Sequence, residues 1–158
     1  GGVHWGLAFD NDTVYAPITN VGQPIPGEWE GDANIKPGLY ALDGKTGKIK
    51  WQFNPEKPEG VARWRGNVFS AAPAVIDGAV VSAALDGMLY VNDAKTGKAL
   101  WSYQTNKEYD ATNGVKGKGG AIDANSITAA NGLLLVNSGY GMFGQQGGNM
   151  LLAFKPRN

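Results

Sequence analysis

The chain has 158 residues, about the length of one ordinary domain, and its 14 basic residues balance its 14 acidic ones. This balance excludes the basic surface typical of nucleic-acid or anionic-membrane binding, so we expect no nucleic-acid partner. Glycine supplies 24 residues and cysteine none, which favours a turn-rich fold and excludes a disulfide or a c-type haem motif from this segment. No apolar run approaches the roughly 20 residues of a membrane span.

The first predicted elements form a four-stranded antiparallel sheet. Residues 4–9 and 13–19 are two short apolar strands joined by a tight turn, and residues 39–53 supply two more. The turn within the last pair should have Asp43 accepting backbone N–H groups and Gly47 at a positive φ, because glycine carries no Cβ. This turn and its trailing strand read Ala41-x-Asp43-x-x-Thr46-Gly47-Lys48-x-x-Trp51.

The same turn recurs about 50 residues later, a period typical of propellers and solenoids. The second copy runs Asp93-Ala94-Lys95-Thr96-Gly97-Lys98-Ala99-Leu100-Trp101. Together with the hairpin before it, this copy predicts a second four-stranded sheet over residues 70–105. Three further strands are expected at residues 126–130, 133–138 and 149–154, but no Thr-Gly-Lys-x-x-Trp strand follows them.

These elements predict an all-β fold of about eleven strands, because no segment sustains helical apolar spacing. The strands group into three blades, approximately residues 1–53, 68–105 and 119–158, with the last blade lacking its outer strand and with no second domain. Since a propeller needs about four to eight blades, we expect the chain to be a segment of a larger ring. The remaining blades of the full-length protein, and a strand from its other end, should complete that ring.

The long connections between strands indicate where a functional site lies. The long connections alternate with tight turns, and alternate turns lie at opposite ends of the strands. All four long connections, residues 20–37, 54–67, 106–125 and 139–148, therefore lie at the same end of the sheets, which is one face of the propeller. Long loops on a rigid frame commonly carry function. We therefore expect the functional site on this face of the propeller, close to the propeller axis.

The repeated sequence ending at Trp51 and at Trp101 resembles the tryptophan-docking motif of eight-bladed quinoprotein propellers. The flanking segments resemble the C-terminal blades of polyvinyl-alcohol-dehydrogenase-type quinoproteins, which depend on pyrroloquinoline quinone (PQQ). These flanking segments are Gly1-Gly2-Val3-His4-Trp5-Gly6 and residues 119–123, 137–141 and 151–154. The resemblance covers essentially the whole chain, and it implies that both indoles pack between blades against a glycine-containing turn.

The resemblance also implies an activity. In that family hydride moves from an alcohol to PQQ, Ca²⁺ polarises the quinone carbonyl and a carboxylate removes the proton. The principal metal ligands are expected outside this segment, so the segment alone should be inactive. A periplasmic or secreted location and a cytochrome c electron acceptor are further expectations. The alternative is a non-enzymatic propeller scaffold of the same repeat family that mediates protein–protein interaction, since fold does not fix function.

The candidate site residues precede the innermost strand of each blade. Trp5 could stack on a planar quinone, and Arg65 could pair with a PQQ carboxylate through two hydrogen bonds. Asp123 is the candidate base or ligand, and the competing interpretation is that its carboxylate only caps a turn. For the other candidates, the competing interpretation is a structural role in the core or in a solvated loop. The candidates are His4, Trp5, Arg65, Asn67, Ser70, Asn125 and Ser126 for the cofactor and Asp123 for catalysis, with no metal ligand assigned.

Overall fold

The structure is a computed structural model that describes residues 2–19, 36–56, 68–142 and 144–156. Within those ranges every regular element is a strand, so the prediction of an all-β fold is confirmed. The strands are β1 (Ala8–Asp10), β2 (Thr13–Ile18), β3 (Gly38–Asp43), β4 (Ile49–Phe53), β5 (Ala74–Ile76), β6 (Ala79–Ala83), β7 (Met88–Asp93), β8 (Ala99–Gln104), β9 (Glu108–Asp110), β10 (Lys116–Lys118), β11 (Ile127–Ala130), β12 (Leu133–Ser138) and β13 (Met150–Phe154).

The strands form three antiparallel sheets in chain order and one small hairpin. The sheets are β1-β2-β3-β4, β5-β6-β7-β8 and β11-β12-β13, and β9 pairs with β10. Strand β5 contacts both β1 and β11, so the first strands of the sheets lie innermost. The arrangement is that of successive blades in a partial propeller. No helix able to cross a membrane occurs in the described part of the chain.

The hairpin of β9 and β10 lies within residues 106–125, which the sequence predicts as an irregular connection. Tyr109 pairs with Gly117 at its centre, and the connection returns to the third sheet through Lys118, whose N–H donates to Asn149 Oδ1 at 2.9 Å. The prediction was wrong here because each strand has only three residues, most of them charged. Such strands give no alternating apolar pattern.

The innermost strands also begin later than predicted, at Ala8 and Ala74 instead of at residues 4 and 70. The residues before β5 form a backbone hydrogen bond to the segment before the third sheet, because the Ala72 N–H donates to the Ala124 carbonyl at 3.0 Å. Pro73 follows and has no N–H to give to a ladder. The lead-in segments therefore join neighbouring sheets where the sequence predicts strand pairing.

The repeated turn has the geometry that its sequence predicts. The Thr46 backbone N–H and hydroxyl both donate to Asp43 Oδ1 at 2.8 Å, and Thr96 makes the same bonds to Asp93 at 2.7 Å. Gly47 adopts a φ of 70°. Hydrogen bonds from the threonine hydroxyl and backbone stabilise the ionised carboxylate, so they lower the pKa of both aspartates.

Trp51 fastens the first sheet to the second. Its indole N–H donates to the Ala94 carbonyl at 3.0 Å, and the Tyr15 hydroxyl donates to the same oxygen at 3.1 Å. The indole lies over Gly97 so closely that a Cβ there would come within 2.6 Å of the Trp51 Cε3 atom. The turn of the second sheet is therefore the surface on which the indole of the first sheet rests.

Each complete sheet carries a bulge beside its tryptophan. In the first sheet Ala41 pairs with Trp51 and Leu42 pairs with Ile49, so Lys50 is the extra residue. The second sheet has the same register shift at the equivalent place, with Leu100 as its extra residue. The bulge places Trp51 and Ile49 on opposite faces, since adjacent residues of β3 point to opposite sides.

The core lies between the sheets and not within one of them. Between the first and second sheets Phe69 stacks on Tyr90 at 5.6 Å, and Phe53 meets both rings edge-on. Beside the third sheet, Trp101 contacts Tyr103 and Phe154 but stays 40% exposed. The buried residues of the second interface include Val81, Leu89, Ile122, Ile127 and Val136.

Substitution Gly97→Ala should destabilise the protein more than Gly132→Ala. Both glycines have nearly the same φ, 74° and 73°, so each alanine is strained by about 1 kcal/mol. Only at Gly97 does the new methyl group meet the Trp51 indole, which should add about 1–3 kcal/mol. Urea unfolding of the two variants measures the difference, and equal losses would contradict the packing of Trp51 on this turn.

Substitution Asp93→Asn should make stability less sensitive to acid. The pKa of Asp93 is lowered from 3.8 in the folded turn, so the unfolded chain binds its proton more readily. The stabilisation is present above the ordinary pKa and lost as pH falls through the folded one. Urea midpoints between about pH 5 and pH 2 should fall less steeply in the variant. Asp43→Asn is the matched variant in the first turn, and unchanged slopes in both would refute this account.

Candidate functional site

The candidate site lies at the end of the sheets where the lead-in segments of the first strands meet. His4 Nδ1 lies 2.8 Å from Ser70 Oγ, which joins the lead-in of the first sheet to that of the second. The Ala72–Ala124 hydrogen bond joins the second to the third. Gly6 packs on Ala72, where an added Cβ would come within 3.3 Å of the Ala72 Cβ. Three successive sheets are thus tied together next to the axis.

Trp5 is the partly exposed aromatic side chain of this site. Its indole is 38% exposed and contacts the His4 ring at a centroid distance of 4.7 Å. On another side it meets Tyr140, whose ring centroid is 6.4 Å away and whose plane is inclined by 74°. An uncharged indole with an accessible surface fits a planar ring ligand such as PQQ. Ser70 is buried, and its hydroxyl is hydrogen-bonded to the His4 ring.

Tyr140 belongs to the connection between β12 and β13 and was not among the predicted site residues. In the sequence it stands in Gly139-Tyr140-Gly141-Met142-Phe143-Gly144, which has the glycine spacing of a nucleotide-binding loop but is followed by another strand and not by a helix. The alternation of turns already predicts this connection on the site face. The contact with Trp5 additionally requires the first and third sheets to approach, which local patterns do not encode.

The connection that carries Tyr140 is held firmly against the third sheet's lead-in. The N–H groups of Gly139 and Tyr140 donate to the Ala121 carbonyl at 2.8 and 3.1 Å, and the Ala121 N–H donates to the Gln146 carbonyl at 2.7 Å. The Gln145 side chain donates to Asp123 Oδ2 at 3.2 Å. The aromatic contact is therefore supported by backbone and side-chain hydrogen bonds on the same loop.

Asp123 is fully buried beneath this loop. Its Oδ1 accepts the Ala124 N–H at 2.8 Å, its Oδ2 accepts from Gln145, and its carbonyl accepts the Ser126 hydroxyl. These bonds are those of a turn-capping carboxylate that also anchors a loop. Ser126 is buried with it, whereas Asn125 is exposed. Arg65 and Asn67 lie outside the described residues.

A buried polar cluster joins the second and third sheets just behind the site. Ser138 Oγ lies 2.8 Å from Thr105 Oγ1 and accepts the Gly120 N–H at 2.9 Å. The Thr105 hydroxyl donates to the Gly87 carbonyl at 2.7 Å. Thr105 and Ser138 are both fully buried. The cluster satisfies backbone groups that would otherwise be unpaired away from water.

A second concave region lies at the β9–β10 hairpin, with a volume of about 400 Å³. Its charged and polar lining includes Glu108, Tyr109, Asp110, Lys116, Lys118 and Asn149. Burial raises the pKa of Tyr109, and a hydrogen bond from Lys107 lowers that of Tyr103 nearby. The hairpin site contains none of the residues predicted from the sequence.

Across the described ranges no three His, Cys, Asp or Glu side chains converge as metal ligands would.

Comparison with known proteins identifies one matching family and several similar proteins. The PQQ_2 family, described as "Outer membrane protein assembly factor BamB", matches residues 1–139. Polyvinylalcohol dehydrogenases from Sphingopyxis sp. (strain 113P3) and Pseudomonas sp. are 34% and 32% identical over 98% of the chain. The quinohemoprotein alcohol dehydrogenase from Comamonas testosteroni shares the fold with a TM-score of 0.58 and 21% identity, over 92% of this chain and 18% of that one. The chain spans about a quarter of the length of the two polyvinylalcohol dehydrogenases.

Substitution Ser138→Ala should destabilise the protein by about 1–3 kcal/mol, because the Gly120 N–H loses its acceptor in a buried position. The matched control is Ser102→Ala, on the exposed strand β8, which should change stability by no more than about 0.5 kcal/mol. Urea unfolding followed by tryptophan fluorescence compares the two. A Ser138→Ala loss no larger than the control's would show that the cluster carries no stability.

Proposed function

The chain belongs to the PQQ_2 family, and we propose that it is part of an eight-bladed, PQQ-dependent alcohol dehydrogenase. The observation that carries the proposal is the similarity to two polyvinylalcohol dehydrogenases over 98% of the chain. This similarity runs through the candidate site as well as the sheets around it. The proposed substrate is therefore polyvinyl alcohol or a similar secondary alcohol.

The remaining blades of the full-length protein are the proposed partners of this segment. Phe9 lies on the face of the first sheet opposite to Tyr15, and Leu151 on the outward face of the third; both are exposed. Apolar faces of this kind support burial against further sheets. Strand β13 has no neighbour on its outer side among the described strands. We propose that a strand from elsewhere in the protein pairs with β13. We also propose that a turn next to this added strand packs on the Trp101 indole, as the Gly97 turn packs on the Trp51 indole.

The site residues would act mainly by binding and orienting. When bound, PQQ supplies the electrophilic carbonyl that accepts hydride from the alcohol carbon. Trp5 would offer its indole as a stacking surface, and Ser70 would fix the orientation of the His4 ring beside it. Arg65 and Asn67 remain proposed cofactor contacts from the loop before Ser70. Asn125 and Ser126 have the equivalent place in the third sheet.

Oxidation of the alcohol also releases a proton to a base, and Asp123 is the candidate for that role within this segment. Its carboxylate is buried and accepts hydrogen bonds from Ala124 and Gln145. Asp123 could reach a substrate hydroxyl only if the Gln145 side chain moves aside. With both bonds in place it acts instead as the anchor of the loop that carries Tyr140.

Calcium, the electron acceptor and the location complete the proposal. Ca²⁺ prefers six to eight oxygen ligands, and the described residues offer no convergent set of acidic side chains for it. We therefore propose that its ligands come from other parts of the protein. A cytochrome c acceptor and a periplasmic or secreted location follow from the same proposed activity.

The second candidate function is a non-enzymatic scaffold that mediates protein–protein interaction. It is favoured by the description of the matching family as an outer membrane protein assembly factor. The two functions make different demands on the rest of the protein. An enzyme requires an axial carboxylate and Ca²⁺ ligands, whereas a scaffold requires an apolar docking patch on the rim.

The full-length protein, reconstituted with PQQ and Ca²⁺, should reduce a redox dye when supplied with polyvinyl alcohol. Substitution Trp5→Ala should weaken PQQ binding by about ten-fold, because stacking on an aromatic ring is worth about 1–3 kcal/mol. Tyr109→Ala, on the β9–β10 hairpin and away from the first strands, is the control and should leave PQQ affinity unchanged. Absence of PQQ binding to the unaltered protein would favour the scaffold.

A further inference from the structure

The rings of Trp5 and Tyr140 form an edge-to-face aromatic corner, and the proposed cofactor role gives no part to its Tyr140 side. Their planes are inclined by 74°, so the face of one ring adjoins the edge of the other. Trp5 comes from the lead-in of the first sheet and Tyr140 from the loop before β13. The corner therefore bridges sheets that are separated in sequence by the whole of the second sheet.

The accessible surface of the corner and of the loop that carries Tyr140 is mainly apolar, with the Tyr140 hydroxyl on one side of Trp5 and the His4 ring on another. Met142 extends from the same loop with 76% exposure, and Val3 is exposed next to the start of the first sheet. The Tyr140 hydroxyl lies 3.9 Å from Met142 Sδ, and a thioether is a weak acceptor. The carboxylate of Asp123 is buried and accepts from Gln145. The corner thus presents apolar surface and an available hydroxyl to a ligand.

The corner is also preorganised. Hydrogen bonds to Ala121 hold the backbone at Tyr140, and the Gln145–Asp123 bond holds the loop beyond it. A site that is already ordered loses little conformational entropy when a ligand binds. A flexible ligand chain would then bear most of the ordering cost.

We propose that Tyr140, with Met142, forms a subsite for the carbon chain of a neutral, hydroxyl-bearing substrate, beside the ring surface of Trp5. This rests on the proposed function and deepens it, because it assigns a residue to substrate-chain recognition. The Tyr140 hydroxyl exchanges hydrogen bonds with a substrate hydroxyl, while methylene groups pack on its ring and on the Met142 side chain. Neutral chains with several hydroxyls use the whole subsite, and short alcohols do not reach it.

The test is Tyr140→Phe in the full-length protein, with Tyr109→Phe on the β9–β10 hairpin as the matched control. Polyvinyl alcohol oligomers and 2-propanol are the probes. In the PQQ- and Ca²⁺-loaded protein, Tyr140→Phe should raise KM for the oligomers about three- to ten-fold, the effect of one neutral hydrogen bond. The KM for 2-propanol and the Kd for PQQ should not change. Tyr109→Phe should change none of them.

Binding of the oligomers to the cofactor-free protein, measured by equilibrium dialysis, separates the subsite from the proposed activity. The same three- to ten-fold loss of affinity in Tyr140→Phe is expected there. If the protein binds no PQQ but still shows this loss, the proposed activity fails and the subsite stands. The subsite is overturned if oligomer affinity is unchanged in both Tyr140→Phe and Tyr140→Leu. It is also overturned if PQQ affinity falls instead, since Tyr140 would then hold the cofactor.

Discussion

The contact between the Trp51 indole and the Gly97 turn is the interaction on which the arrangement of the sheets depends. A four-stranded sheet buries little by itself, because its two faces become core only when another sheet covers them. The indole spans that gap, since it packs on the glycine and donates to the Ala94 carbonyl of the same turn. Its position fixes how the first sheet lies on the second, and the core of Phe53, Phe69 and Tyr90 follows from it.

The sequence predicted the features that are set by local chemistry. The Asp-x-x-Thr-Gly turns form as expected because Asp93 accepts from the following backbone and the threonine hydroxyl within the turn itself. The hairpin of β9 and β10 escaped prediction because its short charged strands lack an apolar alternation. The contact of Trp5 with Tyr140 escaped it for another reason. That contact depends on how three sheets are placed around an axis, and no single segment specifies this placement.

The candidate site shows how one buried carboxylate can organise a surface that it does not reach. Asp123 is removed from solvent, yet its bond to Gln145 holds the loop that brings Tyr140 to Trp5. Most of the predicted site residues that the structure describes lie in the lead-ins of the first strands. Tyr140 lies beyond them, in the loop before β13, so the proposed recognition surface combines the innermost segments with the long connection of a neighbouring sheet.

The bulge beside each tryptophan changes which residues of the outer strand share a side with the indole. Lys50 and Leu100 are extra residues, so Trp51 and Trp101 lie on the opposite side of their strands from Ile49 and Ala99. Deletion of Lys50 or Leu100 would leave the indole opposite Ala41 or Val91, and therefore on the same side of its sheet, but it would remove the local bend and added twist of the bulge. Gene variants that lose this residue should therefore still direct the indole towards the neighbouring sheet while changing the angle at which it approaches.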